Sequence, residues 1–415
     1  MTEILDRGLA VAGTRKIGWA ADHAPVLGRV RDRLHDDGSL KDRRIGVVLA
    51  LEPKTALLAR ILADAGAEVR LTCSAIMTHD DVAAGLAASG VEVFARSDAT
   101  AADEERFRAA VLGGRPEVLI DDMAELIRMA HTSHRDALTD LTGASEETTS
   151  GVTLLRAMAH DGALQVPCIA ANDARCKYLF DNRYGSGQSV MMALLDATNL
   201  LLAGTTVLVV GYGWVGRGIA RTARGLGARV IVAEIDPFAA LEAYHDGHTV
   251  APVAEACEQA AFVITATGCR HALPVDAIER CRGGAVIANG GGPADEIDVD
   301  GLTRRARTVR PARAGIDEFE FGPGHSVFLI GRGQCANLSA GEGHPIEIMD
   351  LTFAVQALSA RHLALHAPEM PAGVHRLPDE IDEEIAREAL AGLGLRIDEL
   401  TAAQREFLGS WEQTG

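Results

Sequence analysis

The sequence is 415 residues long, with 47% hydrophobic and 24% charged residues. This length exceeds what one simple core holds, so we expect two domains, and the composition is that of an ordinary soluble globular protein. The net charge of −18 argues against nucleic acid or an anionic membrane surface as the main partner, because both repel an acidic protein.

The cysteines and the first residues bear on cellular location. Seven cysteines are present, and no C-x-x-C spacing occurs. An odd number without that spacing favours reduced thiols over a disulfide framework or a metal site. The opening MTEILDRGLAVAG lacks the basic and then apolar layout of a signal peptide, and no apolar run nears the roughly 20 residues of a membrane span. We therefore expect a cytoplasmic protein with no membrane contact and no bound metal.

Strands and helices alternate through the first part of the chain. RIGVVLA (44–50) predicts a buried strand, TALLARILADAGAEV a helix, and EVRLTC, VEVFAR and PEVLIDD three further strands. This alternation predicts a parallel α/β sheet. The last of these strands ends in Asp121 and Asp122, and such sheets place their sites at the carboxyl ends of strands.

The next segments continue the α/β pattern. GASEETTSGVTLLRAMAHDGAL (143–164) predicts a helix with a polar entry from Ser145 to Thr149, and VPCIAAND predicts a strand. A long apolar helix is predicted from near Ser186 to Gly204.

A dense polar block separates this last strand and helix. Seven of the twelve positions from 172 to 183 are charged or carry an amide: Asn172, Asp173, Arg175, Lys177, Asp181, Asn182 and Arg183. Polar groups concentrated where a strand ends and a helix begins indicate a site. From the residues alone, a solvent-exposed Lys–Asp pair at i, i+4 spacing explains Lys177 and Asp181 equally well.

A dinucleotide fingerprint follows. VLVVGYGWVGRG holds Gly211, Gly213 and Gly216 in G-x-G-x-x-G spacing between a predicted strand and helix. Glu234 ends the next strand at about the 20-residue offset of a ribose-binding acid. A carboxylate there accepts hydrogen bonds from ribose hydroxyls and repels a 2′-phosphate, which favours NAD over NADP. A domain that binds another adenine ligand, or none, is the alternative.

The fold predicted from these elements has two domains. Each is a doubly wound parallel sheet, and a Rossmann NAD domain is inserted into the substrate domain. We place the substrate domain at 1–184, the NAD domain at 185–345, with strands at AAFVITATG, GAVIANGGG and TVRPARAG, a helical return at 346–395 and a tail at 396–415.

The motifs together resemble those of the S-adenosyl-L-homocysteine hydrolase family. They are GAEVR, SEETTSGV, AND…K…FDNRYG, GYGWVGRG, GARVIVAEIDP, TATG, NL…GHP and GVHRLP, and the similarity runs from about residue 44 to about 380. The resemblance implies tightly bound NAD, a nucleoside substrate and a homotetramer. It also implies a redox cycle in which the 3′-hydroxyl is oxidised, the 4′ hydrogen becomes acidic, the 5′ substituent is eliminated, water adds and the ketone is reduced again.

The resemblance also assigns roles to single residues. Lys177 and Asp181 would meet the ribose hydroxyls beside Asn182, with Lys177 as a base whose pKa is lowered by burial and by the nicotinamide cation. Asp122 would transfer a proton, although a buried capping Asp is the alternative. The further substrate contacts would be Glu147 and His344, a residue that could instead be an ordinary loop histidine. The further cofactor contacts would be Thr148, Thr149, Ser150, Thr267, Gly290 and Asn337.

Departures from the family concern the substrate side and the C-terminal tail. Where the family reads H-x-T-x-E-T-A, this chain reads ALEPKTA, with Ala50, Glu52 and Lys54 in place of His, Thr and Glu. A second family histidine is Gly292 here. Glu52, Lys54 and His79 therefore bring new charge to the substrate side. The basic, tyrosine-containing tail by which the family clamps NAD across subunits is missing from LGSWEQTG, which puts that clamp in doubt.

These departures predict an altered reaction. We expect an NAD-dependent enzyme that oxidises the 3′-hydroxyl of an adenosine-type nucleoside and eliminates the 5′ substituent, acting as a nucleoside dehydratase or lyase in secondary metabolism. The alternatives are ordinary hydrolysis of S-adenosyl-L-homocysteine to adenosine and homocysteine, nucleoside epimerisation, or a regulator that binds NAD without turnover.

Overall fold

The computed structural model describes residues 2–292 and 294–411. Two sheets flanked by helices confirm the predicted α/β fold. The strands are β1 Arg44–Val48, β2 Glu68–Thr72, β3 Glu92–Phe94, β4 Val118–Asp121, β5 Gly143–Glu146, β6 Pro167–Ala170, β7 Thr206–Val210, β8 Arg229–Ala233, β9 Thr249–Val250, β10 Phe262–Thr265, β11 Ala285–Asn289, β12 Thr308–Arg313, β13 Ile316–Gly322, β14 His325–Ile330 and β15 Gly373–His375.

Helices precede, separate and follow these strands. They are α1 Ala10–Asp22, α2 Pro25–Asp37, α3 Pro53–Asp64, α4 Asp80–Ala88, α5 Ala101–Leu112, α6 Glu125–His131, α7 Thr149–His160, α8 Arg175–Lys177, α9 Ser186–Thr198, α10 Trp214–Gly225, α11 Pro237–His245, α12 Val253–Cys257, α13 Val275–Ile278, α14 Val299–Arg305, α15 Ala336–Ser339, α16 Ile346–His366, α17 Asp379–Gly392 and α18 Ala402–Gly409.

The first sheet is parallel throughout, in the order β15-β6-β5-β4-β1-β2-β3. Its central strands are buried on both faces, as parallel strands between helices must be. The register pairs Asp121 with Glu146. The carboxyl ends of β4, β5 and β6 therefore meet at one edge, where the polar residues that follow them converge.

The segment predicted as a helical return, 346–395, contains a strand as well as helices. α16 and α17 match the prediction, but β15 lies between them and adds to the first sheet beside β6, with Val374 opposite Cys168. Three residues are too few for a strand signal in sequence, so only pairing with β6 reveals this strand.

The second sheet is mixed, in the order β12-β13-β14-β11-β10-β7-β8-β9. β14 to β9 are parallel, whereas β12 and β13 are antiparallel hairpin strands at one edge. The wholly parallel sheet predicted for this half is therefore wrong at that edge. All six residues of β12 are exposed, which is compatible with an edge strand and not with a buried parallel one.

The helix predicted over 143–164 is wrong at its start. Gly143–Glu146 forms β5, and α7 begins only at Thr149. Small and acidic residues have weak strand propensity, but burial between β4 and β6 overrides it. The helix predicted to stop at Gly204 ends earlier, at Thr198, where Asn199 adopts a left-handed conformation with φ 54°.

Among the helices of the described residues, not one combines the length and apolar content that crossing a bilayer requires. The domain limits at 184, 345 and 395 stay predictions. Part of the predicted tail, residues 412–415, lies outside the described residues, as do Met1 and Pro293.

Candidate active site

Lys177 is the centre of the predicted polar block, and its ammonium group is buried. α8 ends at Lys177 and the chain continues as a π-helix, Tyr178–Gly185. Because π-helical turns are wider than α-helical turns, residues four and five positions later both face Lys177. Its Nζ donates to Asp181 Oδ1 at 2.7 Å and to Asn182 Oδ1 at 2.8 Å. The Lys177 and Asp181 side chains are 6% and 4% exposed, so this is not a surface pair.

Asp181 ties this block to two other parts of the chain. Its Oδ2 accepts a hydrogen bond from Thr352 Oγ1 at 3.0 Å and lies 3.2 Å from His344 Nδ1. Burial opposes ionisation, but Lys177 and His344 outweigh it and lower the pKa of Asp181. This carboxylate is therefore fixed in charge and in direction, as a group that orients hydroxyls should be.

The charge of Lys177 differs from the prediction. Burial does lower the pKa of its ammonium, but the carboxylates of Asp181 and Glu147 outweigh burial, and the net pKa is raised. The Nζ atom lies 3.6 Å from Glu147 Oε1. In the chain alone Lys177 is a cation that orients oxygen atoms, and a cofactor cation beside it would be needed to make it a base.

Two neighbouring carboxyl groups have pKa values near neutrality. Burial, and then Glu125, raises the pKa of Asp122 to about 6. Burial raises the pKa of Glu147 to about 7 against the pull of Lys177. Asp122 Oδ1 is buried and has no hydrogen-bond partner among residues 2–292 and 294–411. A carboxyl group with a free oxygen and a pKa close to the working pH is suited to proton transfer.

We expect this pKa to appear in the pH dependence of the reaction. If Asp122 accepts a proton from substrate, kcat/KM should fall as the pH drops below about 6, because protonated Asp122 cannot act as a base. Asp122→Asn should lower kcat by roughly 10²- to 10⁴-fold and remove that acid limb. Steady-state rates between pH 5 and pH 9 for both proteins check this, and an unchanged limb in the variant would contradict it.

α16 supplies site residues that sequence analysis missed. Besides Thr352, Gln356 donates its side-chain amide to Glu147 Oε2 and accepts a hydrogen bond from Ser145 Oγ at 2.6 Å. Both are fully buried in an apolar helix. Two polar residues spaced by four in such a helix were the available signal, since unneeded polar groups are rarely buried.

The predicted threonines lie at the entry of α7, next to this block. Thr148 is the N-cap of α7, and Ser150 Oγ lies 3.3 Å from its hydroxyl. Thr149 Oγ1 donates to Asn172 Oδ1 at 3.2 Å, and Asn182 Nδ2 donates to the same oxygen at 3.0 Å. Asn172 thus joins the candidate cofactor side to the candidate sugar side, a role not assigned from sequence.

The remaining predicted substrate residues form a second cluster. Glu52 caps α3 by accepting a hydrogen bond from the Lys54 amide at 2.9 Å, and Lys54 Nζ lies 2.8 Å from the Glu52 carboxylate. Lys54 Nζ also donates to the Glu342 carbonyl at 2.7 Å. His79 Nδ1 is 4.0 Å from the Glu342 carboxylate. Because His344 follows two residues later and contacts Asp181, this cluster is continuous with the sugar side.

A cavity of about 940 Å³ opens beside this cluster. Lys54 and His344 line it, together with residues of α1 and α9, the segment 340–345 and the first turn of α16. Lys54 is only 5% exposed, and Glu52, also 5% exposed, lies behind it and does not line the cavity.

The fingerprint glycines form a tight cradle at the start of α10. Gly211 has φ +97°, and a Cβ there would lie 2.6 Å from the Ala266 carbonyl oxygen. A Cβ on Gly216 would lie 2.0 Å from the Gly211 carbonyl oxygen. Glu234 accepts a hydrogen bond at 2.5 Å from the amide that follows Gly211. With Gly213 directly before the helix, these residues fit a dinucleotide.

The other predicted cofactor residues lie at the ends of β10 and β11. Sequence analysis missed Glu296, whose carboxylate accepts hydrogen bonds from the Thr267 amide at 2.9 Å and from the Thr267 hydroxyl at 3.0 Å. Gly290 lies where a Cβ would be 2.8 Å from the Ile219 side chain. Asn337 donates to Ser189 Oγ at 3.0 Å. The structure thus places the glycine cradle, Glu234, Thr267 and Gly290 with the second sheet, whereas Thr148, Thr149 and Ser150 follow β5 of the first sheet, on the side of the predicted catalytic residues.

Fold and site together define an α/β protein of the NAD-binding class with a buried, carboxylate-rich candidate site at one edge of its first sheet. Comparison with known proteins identifies its family. The profile of S-adenosyl-L-homocysteine hydrolase matches residues 2–136, and that of its NAD binding domain matches residues 182–343. The chain belongs to this family and uses NAD, which confirms both predictions.

The relatives extend over the whole chain. It is 46% identical over 412 residues to the S-inosyl-L-homocysteine hydrolase of Methanopyrus kandleri, covering 99% of this chain and 97% of the relative. It is 41% identical to the S-inosyl-L-homocysteine hydrolase of Methanocaldococcus jannaschii, with full coverage of both. The adenosylhomocysteinase of Archaeoglobus fulgidus is 43% identical over 400 residues, 96% of this chain and 98% of that protein.

Proposed function

We propose that the chain hydrolyses an S-nucleosyl-L-homocysteine whose base is a 6-oxopurine, namely S-inosyl-L-homocysteine. The observation that carries this proposal is the buried Glu52–Lys54 pair beside the sugar site. Support also comes from the similarity to S-inosyl-L-homocysteine hydrolases of two organisms.

The two purines differ in the edge they present. Adenine offers a donor at the 6-amino group and an acceptor at N1, whereas hypoxanthine offers an acceptor at O6 and a donor at N1. By the family resemblance, Lys54 stands on the substrate side, where the family has a glutamate. A lysine ammonium has three donors, and two of those of Lys54 are used by Glu52 and Glu342. The third suits O6, and the Glu52 carboxylate, which accepts hydrogen bonds from Lys54 and Thr55, holds the lysine in place.

The sugar side supports the oxidation–elimination cycle of the family. Bound NAD supplies the hydride acceptor and donor at the 3′ carbon. Lys177 and Asp181 orient the ribose hydroxyls, since their side chains are buried and bonded to each other. Asp122 takes the 4′ proton with the free oxygen described above, and Glu147 holds Lys177 from the other side.

Substrate competition tests the base assignment. We expect wild-type kcat/KM for S-inosyl-L-homocysteine to exceed that for S-adenosyl-L-homocysteine by at least about tenfold. Lys54→Gln should lower the inosyl value by roughly 10- to 100-fold, since a hydrogen bond to a charged group contributes about 1.5–3 kcal/mol, and change the adenosyl value little.

The matched control for this test is Lys16→Gln. Lys16 lines the same cavity, but it is half exposed and pairs with Asp81, so its loss should leave the base preference unchanged. A wild-type preference for the adenosyl substrate, or equal losses on both substrates in Lys54→Gln, would refute the assignment.

A second candidate is elimination without water addition, which would make the enzyme a nucleoside dehydratase or lyase. It is favoured by Gly292, where the family has a histidine at the 5′ end. Its φ of +125° suits glycine, and apart from its chain neighbours no atom of the described residues lies within 4 Å of the position a Cβ would take. Mass spectrometry decides between the two: hydrolysis releases inosine and homocysteine, whereas dehydration removes 18 mass units from a free nucleoside. Inversion without loss of mass would indicate epimerisation.

We carry the homotetramer and the cytoplasmic location forward as proposals on the family resemblance. Light scattering of the purified protein tests the first, and a monomer would exclude it.

A further inference from the structure

Glu146 is a fully buried acid at the end of β5, and the proposed mechanism assigns it no step. We propose that Glu146 is the positioning residue of Asp122, holding the loop that carries this acid to the entry of α7. The inference rests on the proposed function in one respect, that Asp122 is the group that takes the 4′ proton.

The Glu146 carboxylate collects four donors from both sides of the site. Oε1 accepts hydrogen bonds from the Met123 amide at 2.9 Å and from the Thr148 amide at 2.9 Å. Oε1 also accepts from Thr148 Oγ1 at 2.7 Å, and Oε2 accepts from the Ala124 amide at 2.9 Å. The residues after Asp122 and the N-cap of α7 are thus held by one side chain.

The loop needs this support because its backbone is strained. Met123 and Ala124 follow Asp122 directly and have φ values of 59° and 54°, the left-handed region that side chains other than glycine disfavour. Such conformations persist only where the surroundings hold them. Both amides point at Glu146, so the same bonds that stabilise the strained turn also fix the direction of Asp122.

The atoms packed around the Glu146 carboxylate restrict it to one position. A Cβ on Gly151, in the first turn of α7, would lie 2.1 Å from Glu146 Oε1. The backbone of Glu146 is fixed by its pairing with Asp121 in the sheet. The side chain is therefore clamped between the sheet and α7, which is what a precise support for Asp122 requires.

Glu146→Gln tests the inference with little change of shape. Its amide group would present donors to backbone donors, so the loop should shift. We expect kcat to fall about 10²-fold, since a displacement near 1 Å of a reacting group costs that much, while KM stays within about threefold and NAD content is unchanged. Reduced nicotinamide should still form on adding nucleoside, whereas exchange of the 4′ hydrogen with deuterated solvent should fall with kcat.

A second variant keeps the test decisive if Glu146→Gln does not fold. Gly151→Ala keeps Glu146 in the sequence, but its added methyl group would displace the Glu146 carboxylate at Oε1. This variant should therefore give the same pattern as Glu146→Gln. Asp298→Asn is the control, because Asp298 caps α14 by accepting the Gly301 amide at 2.8 Å, far along the chain from Asp122. It should leave kcat and exchange unchanged.

The outcomes separate this inference from the proposed function. If both variants lose nicotinamide reduction as well as exchange of the 4′ hydrogen, Glu146 has a general structural role and the inference is overturned. A folded Glu146→Gln protein with wild-type kcat would also overturn it. If the wild type hydrolyses neither homocysteine substrate, the proposed function fails, and exchange measured with free inosine or adenosine still decides the role of Glu146.

Discussion

Replacing Lys177 with methionine should lower kcat by about 10³-fold while leaving NAD bound. General acid–base and orienting groups at an active site contribute roughly 10²- to 10⁴-fold, and Lys177 contacts three other site residues. The loss should lie in kcat rather than in NAD content, because the glycine cradle is in the other sheet. Single-turnover nicotinamide absorbance on adding nucleoside measures the affected step directly.

The same variant should also be less stable. Removing one partner of a buried ion pair leaves the other charge uncompensated, at a cost of about 3–5 kcal/mol. Asp181 is 3% exposed and would become that charge, while His344 offsets part of the loss. Lys41→Met is the control, since Lys41 is exposed and should tolerate the change in both stability and rate. A Lys177→Met enzyme with wild-type kcat would remove Lys177 from the catalytic group.

Gly216→Ala should abolish retention of NAD through purification. The added methyl carbon would lie 2.0 Å from the Gly211 carbonyl oxygen, so the turn and the start of α10 must separate. Overpacking of this kind costs about 1–3 kcal/mol, which weakens NAD binding by roughly 10- to 100-fold if it acts on the bound form alone. Titration of the stripped protein with NAD, followed by thermal unfolding with and without the cofactor, gives both quantities.

The matched control is at the other end of the same helix. Apart from its chain neighbours and the backbone of its own helix, no atom in the described part of the chain lies within 4 Å of a Cβ added to Gly225. Gly225→Ala should therefore bind NAD normally and be slightly more stable, because alanine favours helix over glycine. Equal NAD affinity in Gly216→Ala and Gly225→Ala would show that the close approach at Gly216 is not needed for binding.

The Glu52–Lys54 pair shows how much of a site depends on partners far away in sequence. The replacement of the family's threonine and glutamate by Glu52 and Lys54 was visible in the sequence, and it predicted new charge on the substrate side. Which atoms of Lys54 remain available became clear only when Glu342, 288 positions later, was found to accept one of its donors. The number of Lys54 donors that remain available is what links the pair to a 6-oxopurine.

The pKa of Lys177 also depends on a partner that is distant in sequence. Its burial was anticipated from the resemblance, and so was the sign of the burial effect on its pKa. The net direction is reversed by Asp181 and Glu147, of which only Asp181 is near in sequence. Electrostatic outcomes of this kind depend on distances that no local pattern contains.

By itself, the sequence determined the α/β alternation, the glycine cradle, the acid that follows it, and the polar block around Lys177. These features are local: hydrophobic periodicity, turn chemistry and short spacing act within one strand or helix. Tertiary structure alone decided that Gly143–Glu146 is a strand, that β15 joins the first sheet, and that Thr352, Gln356 and Glu146 belong to the site. Each of these rests on burial or hydrogen bonding between distant segments, where weak local preferences are overridden by long-range contacts.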